Sequence, residues 1–394
     1  MNFILRATLY RAVTALTFIL YFSGLSAQEI SSNDYNLNKK CWQWTTPIEN
    51  NDEISILLLG DTNIQGRKNP EGAWEYLLPT MRSADIRLLN LEGPFAGTSK
   101  DPNKVDIPHK SGWAHSEPDQ VKALVHAQID AVGVANNVTY PWQALLRSLE
   151  VLDAAGIKYS GGGNTKSEAH QPVIIERKGI KIGFIQYTSL YWPYNHASEE
   201  NKPGVAGLKV STWYQAPPNL DKPGQPPIVL TLVDENALQT LKYDIRSLKE
   251  KSDVAIASFH WGVSGTPEIV SYQRTLAQTA IDAGADLVMG HGPHVFQPIE
   301  IYKGKPIFYC IGNSVFDWYK KKDKDLDGLL LRVTAKKSGI TGISMVPLSR
   351  DKNNLPVLLD PNSDWGATLC EQLVQLSKPL GTMLEIEGKE IVIK

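Results

Sequence analysis

The chain has 394 residues, of which 42% are hydrophobic and 21% charged, with a formal net charge of −2. That balance fits a globular protein with a real core, in one large domain or two small ones, and it offers no basic footprint for nucleic acid. Cys41, Cys310 and Cys370 are too few and too scattered for a zinc knuckle or a disulfide framework, which leaves one bridge with a spare thiol or three buried thiols.

Residues 1–27 place Arg6 and Arg11 ahead of an uncharged run from Ala12 to Ala27 that ends in Ser23-Gly24-Leu25-Ser26-Ala27. The run falls short of the roughly 20 apolar residues of a membrane span, and its layout is that of a secretory signal peptide. An uncleaved membrane anchor is the alternative, because Leu25 suits a cut after Ala27 poorly. Either way the rest of the chain is expected to be extracytoplasmic: periplasmic, secreted or on the cell surface. Residues 28–53, polar with Trp42 and Trp44 inserted, read as a linker.

From residue 54 onward, strand and helix alternate. Ile54 to Leu59, ISILLL, is a buried strand that ends in Gly60-Asp61-Thr62-Asn63. A carboxylate directly after a central strand is costly unless satisfied; a cation would satisfy Asp61, and so would a turn or helix cap. A helix over 72–82 leads to the strand Ile86 to Leu91, which delivers Glu92. A helix over 118–127 leads to the strand Ala131 to Val134, which delivers Asn136 and Asn137. A helix over 141–155, a turn at Gly161 to Gly163 and a hairpin over 173–185 follow. The segment Tyr191 to Pro227, rich in Trp, Tyr and Pro, breaks the alternation and reads as a lid over a flat or polymeric ligand or as a loop packed on the surface. A helix over 235–251 carries Leu238, Leu241, Ile245 and Leu248 on one face. The strand Asp253 to Phe259 ends in His260.

A second buried strand, Ala285 to Met289, runs straight into Gly290-His291-Gly292-Pro293-His294. The glycines permit a sharp backbone and the proline stiffens it, so both imidazoles can be held toward one point. Beyond 329 the chain reads as strands over 329–333 and 342–347, a helix over 365–377 and a hairpin over 383–393. Residues 351–394 are taken as an extension packing on a domain of residues 54–350.

Five strand ends thus carry Asp61, Glu92, Asn137, His260 and the pair His291/His294. Loops at the carboxyl ends of strands are where α/β sheets bind ligands, and this set supplies the carboxylates, amide and imidazoles of a two-metal centre. There is no GxSxG, no Walker loop and no Cys/His pair placed for covalent catalysis.

GDTNIQGR from Gly60, NLEGPF from Asn90, GVANN from Gly133, AAGIKYSGGGNTKSEAHQP from Ala154, SFHWG from Ser258, GADLVMGHGPHVFQPIE from Gly284 and KPIFYCIGNSVFDW from Lys305 together resemble the CapA family. These are capsule-synthesis proteins linked to poly-γ-glutamate and built on a calcineurin-like metallophosphoesterase fold. The resemblance covers about residues 54 to 350 and implies an α/β fold, a four-layer α/β/β/α sandwich, with two divalent metal ions (Mn, Fe or Zn) at the strand ends. It implies that Asp61 and His294 hold the first ion, that Glu92 bridges, and that Asn137, His260 and His291 complete the second. Asn63 occupies the place of a ligand histidine in the wider superfamily.

One departure bears on activity. Where the family reads Asn-Asn-His, with the histidine as candidate general acid, this chain has Val138. General acid–base help is worth about 10²- to 10⁴-fold. His109, His115 and His196 are the loop histidines that could substitute, and each reads as a solvated loop residue. Two functions therefore stand side by side. One is an exported metal-dependent hydrolase acting on a phosphoester or an anionic envelope polymer. The other is a non-catalytic component of capsule or polyglutamate synthesis or export, working with other cell-envelope biosynthesis proteins.

Overall fold

The computed structural model describes Trp44 and residues 52–98, 100–110, 112–217, 224–318 and 327–394. The signal segment 1–27 and all of the linker except Trp44, Asp52 and Glu53 lie outside the described residues, as does Cys41.

Two sheets form the frame. In spatial order the first runs Leu384–Glu387, Glu390–Ile393, Gly339–Arg350, Gly328–Lys336, Ile54–Asn63, Ile86–Leu91, Ala131–Gly133 and Lys158–Ser160. The strand Asn313–Phe316 pairs in parallel beyond Asp61 of Ile54–Asn63, and Pro356–Leu358 pairs with Gly339–Arg350. The second sheet runs Ile299–Tyr302, Lys305–Phe308, Leu287–His291, Val254–His260, Ile180–Thr188 and Val173–Arg177. The central strands of both sheets are parallel. Parallel strands are covered on both faces, which is why they read as continuous apolar runs.

Alternation along these strands divides their side chains between two sides. Leu57, Leu59, Leu89, Leu91 and Val132 pack with Leu77, Leu124, Leu145 and Leu149 of the helical segments 70–82, 118–126 and 142–154. Ile185, Tyr187, Ala257 and Phe259 pack with Leu241, Ile245, Leu248 and Leu276 of the helices Glu235–Lys251 and Ser271–Ala283. The alternate residues Ile56, Leu58, Leu88, Phe184 and Ile256 are fully buried and turn toward the opposite sheet. Gln186 ties the two sheets together: its Nε2 donates to Asn90 Oδ1 (3.0 Å) and Ser258 Oγ (3.2 Å), and its Oε1 accepts from the Ala135 N–H (2.8 Å). The four layers are therefore helix, sheet, sheet, helix, as the resemblance implies.

Local chemistry sets the element ends. Asp234 caps Glu235–Lys251 by accepting from the N–H groups of Asn236 (3.0 Å) and Ala237 (3.4 Å), and Lys249 and Lys251 sit in the last turn where the helix dipole favours them. The expected helix over 72–82 is instead a 3-10 segment, Pro70–Leu77, broken at Trp74 and followed by a short helix, Leu78–Arg82. Pro79 in the first turn of that second piece lacks the N–H that a continuous helix requires there. Likewise 118–127 divides into Pro118–Val121 and Lys122–His126.

Two further readings change. The segment Tyr191 to Pro227 is not irregular throughout, since Val210–Gln215 pairs with Ile228–Val233 as an antiparallel ribbon. Gly162–Gly163, read as a turn, pairs with Gly204–Val205. In the C-terminal stretch, Glu390–Ile393 hydrogen-bonds to Gly339–Arg350 and adds two strands to the first sheet. Trp44 is buried too: its N–H donates to Thr80 Oγ1 (2.9 Å) and the Arg332 guanidinium lies 4.0 Å above its ring.

Candidate metal centre

The strands Ile54–Asn63, Ile86–Leu91, Val254–His260 and Leu287–His291 all point their carboxyl ends at one place. Asp61 is fully buried there. Its Oδ1 accepts from Asn90 Nδ2 (2.8 Å), and its Oδ2 accepts from the Gly292 N–H (3.0 Å). His291 Nδ1 stands 3.1 Å from Asp61 Oδ1, too poorly aligned for a hydrogen bond, and His294 Nδ1 stands 3.2 Å from Oδ2. On the other side of His294, Nε2 is 3.5 Å from Glu92 Oε1, and that same oxygen is 3.6 Å from His260 Nε2. Asn137, Glu92, His260 and His294 share the lining of a cavity of about 220 Å³. All six residues singled out in the sequence are thus gathered at one end of the sandwich. They do not separate into two groups, because His294 touches both carboxylates.

The ionisation of the group follows from burial and from these contacts. Burial raises the Asp61 value, but the His291 and His294 imidazoles held against it outweigh burial and keep the carboxyl well below its usual range. For Glu92, burial again opposes ionisation and Asp61 repels it, yet His294 and His260 bring it down. His294 is the converse case: burial disfavours its charge, and the Glu92 and Asp61 carboxylates override burial and lift it to about 10.

The donor set fits a cation. Glu92 Oε2, both ring nitrogens of His260, both of His291, and the side-chain oxygens of Asn63 and Asn137 are buried without a hydrogen-bond partner. An unsatisfied buried polar atom costs about 1–3 kcal/mol, so such a concentration needs a common partner. Asp61, Glu92 and His294 each place a ligand atom within 4.8 Å of the others. Carboxylate, amide oxygen and imidazole together are borderline-hard donors suited to a divalent transition metal.

Other residues position these donors. Asn313 Oδ1 accepts from His294 Nδ1 (2.9 Å) while its Nδ2 donates to the His294 carbonyl (3.2 Å). This orientation puts the proton on Nδ1 and turns Nε2 toward Glu92. The loop conformation that permits it is unusual, with His294 at φ +60°. Gly290 is forced by space, since a Cβ there would lie 2.0 Å from the Tyr309 carbonyl oxygen. Arg67 and Asp317, from the GDTNIQGR and GNSVFDW motifs, form a two-pronged ion pair (2.6 and 2.8 Å) that clamps the loops following their strands. Asn90, Asn313 and the Arg67–Asp317 pair lay inside quoted motifs, where only their position beside a strand end marked them.

The loop histidines divide. His109 is exposed, but His115 and His196 are buried, against the expectation that all three are solvated. His196 Nδ1 accepts from the Trp192 N–H (2.9 Å), and burial lowers its pKa to about 3. His115 lines the cavity with Val138, and burial lowers its pKa to about 4. Trp192, in the segment read as a lid or a packed loop, donates to the Asn137 carbonyl (3.0 Å), and Leu190 lines the cavity. The two described cysteines, Cys310 and Cys370, are free and buried.

The model of the family described as bacterial capsule synthesis protein PGA_cap matches residues 49–318, more than half of the chain. The chain belongs to the CapA capsule-synthesis family. Among its relatives, "PGA biosynthesis protein CapA" of Bacillus subtilis is 26% identical over 309 residues, 75% of this chain and 72% of that one. A "Probable polyglutamine synthesis accessory protein" of Mycobacterium tuberculosis is 27% identical over 303 residues, 74% and 73% of the two chains. "Capsule biosynthesis protein CapA" of Bacillus anthracis is 24% identical over 311 residues, covering 76% and 68%. The family match spans all six residues of the centre and stops at Trp318.

Proposed function

We propose that this chain is an exported metal-dependent hydrolase of capsule, poly-γ-glutamate or cell-envelope polymer metabolism, acting outside the cytoplasm on a phosphoester. The observation that carries the proposal is the convergence of orphaned ligand atoms from Glu92, Asn137, His260 and His291 beside the buried Asp61–His294 pair, next to a cavity that Glu92, Asn137, His260 and His294 line. The names of its relatives supply the biological setting. The N-terminal layout of arginines, apolar run and small residues supports export.

Asp61, Glu92, Asn137, His260, His291 and His294 would hold two divalent cations, Mn, Fe or Zn, with the Asn63 amide oxygen as a further donor. Cations so held supply Lewis acidity, making water a stronger nucleophile near neutral pH and offsetting charge in the transition state. The chain's own work is orientation. Asn90 and the Gly292 N–H fix the Asp61 carboxylate, Asn313 fixes the His294 ring, and the walls of the cavity limit access of bulk water. Val138 has no proton to give the leaving oxygen, and His115, a neutral imidazole, lines the cavity with it.

Val138 also supports a second reading, in which the centre binds a ligand during polymer synthesis or export without turning it over. The test is hydrolysis of a chromogenic phosphodiester by Mn²⁺-loaded protein. Turnover lost in Asp61→Ala and His260→Ala supports the hydrolase; bound metal without turnover supports the binding role.

A further inference from the structure

The aromatic wall of the cavity starts at the candidate metal centre and runs outward. The His294 ring meets Phe316 edge to face at 4.9 Å between centroids. Two residues on, Trp318 meets Trp113 edge to face at 5.7 Å, and both indoles line the cavity and are half-buried. Lys110 lies over the Trp113 ring at 4.9 Å and over Trp192 at 4.6 Å, which holds the first indole between two loops. Partly open tryptophans pinned beside a polar floor present apolar area that a ligand can cover at little cost in ordering.

We propose that the substrate is a phosphoester whose leaving group carries a ring, seated against Trp113 and Trp318 while its phosphoryl oxygens face the floor formed by Glu92, His260 and His294. This rests on the hydrolase reading and specifies its substrate class. The volume sets the scale: about 220 Å³ lies below the roughly 300–1,000 Å³ of pockets that enclose drug-sized ligands, so the cavity takes one ring and its ester group. Among the described residues no Lys or Arg lines it, and the Lys110 ammonium beside this wall already sits over the rings of Trp113 and Trp192. An indole face accepts an aryl ring by stacking and a sugar ring through its C–H groups, and both chemistries satisfy the same wall.

The experiment is calorimetric binding of methylphosphonate, phenylphosphonate and glucose 1-phosphate to the Mn²⁺-loaded full chain, in the parent, Trp113→Ala and Trp113→Phe. The expected result is that the parent binds the better of the two ring ligands about tenfold more tightly than methylphosphonate, that Trp113→Ala brings the ratio close to one, and that Trp113→Phe keeps most of it. Tighter glucose 1-phosphate identifies a sugar ring, tighter phenylphosphonate an aryl ring. A ratio near one in the parent, or one that survives Trp113→Ala, overturns the ring proposal while methylphosphonate binding leaves the centre intact. A parent that binds none of the three overturns the oxyanion site and the ring proposal together. The phenylalanine variant guards against a folding defect, because it restores a ring without restoring the indole.

Discussion

His294 Nδ1 lies 3.2 Å from Asp61 Oδ2, and both residues are buried, so little solvent screens the charge between them. In the absence of a cation this contact, with Glu92 on the far side, keeps the imidazole protonated up to about pH 10. A metal ion taking Nε2 must displace that proton. Binding of Zn²⁺ or Mn²⁺ at pH 7 is therefore expected to release about one proton, read from calorimetry in two buffers of different ionisation enthalpy. The sign for stability follows from the same raised value. The metal-free protein has the full contribution of charged His294 below its ordinary 6.5 and loses it as pH climbs through about 10. Metal-loaded protein should lack that loss. Equal binding heats in the two buffers would contradict the assignment.

Gly290 tests how tightly the histidine loop is built. A methyl group there meets a backbone carbonyl, that of Tyr309, at 2.0 Å, and also the Trp261 indole at 2.6 Å. Gly290→Ala is expected to destabilise the protein by about 1–3 kcal/mol, as other overpacked sites do, and to weaken metal binding by displacing His291. Denaturant unfolding measures the first effect. A cost within about 0.5 kcal/mol, the range of ordinary surface changes, would show that neighbouring strands of the second sheet can shift apart there.

Val138→His restores an imidazole to the cavity lining. If the reaction needs a proton at the leaving oxygen, kcat on a phosphodiester should rise by about 10²-fold, the lower end of what a positioned general acid provides. Metal content measured alongside separates this from a change in loading. An unchanged kcat with unchanged metal would mean that no proton is needed from this side or that the neutral His115 N–H already hydrogen-bonds the leaving oxygen, and His115→Leu in the same background would then distinguish the two.

Much of this was legible in the chain because the central strands are parallel and buried on both faces. ISILLL and IRLLNL read as largely apolar runs, and a carboxylate just past each, Asp61 or Glu92, is brought to the site. The loops gave no such periodicity. His115 and His196 sit in segments with no regular repeat, so nothing local distinguishes a buried imidazole from a solvated one. The ribbon of Val210–Gln215 and Ile228–Val233 was hidden by the prolines at its tip, which read as loop. The C-terminal hairpin was legible over 383–393, but its docking on the first sheet escaped because that pairing is distant: Ser344 meets Val392 across the sheet, and no local pattern records that register. Asn90 and Asn313 look like strand residues until their side chains are seen holding Asp61 and His294.

The most direct measurement is the metal content, by elemental analysis, of the protein purified without chelator and supplied with Mn²⁺, beside His291→Ala. Close to two equivalents in the parent, with clear loss in the variant, is the expected result, because His291 has both ring nitrogens buried and otherwise unpartnered at the centre. No bound metal in the parent after loading would contradict the site, and the fold would then stand without the chemistry proposed for it.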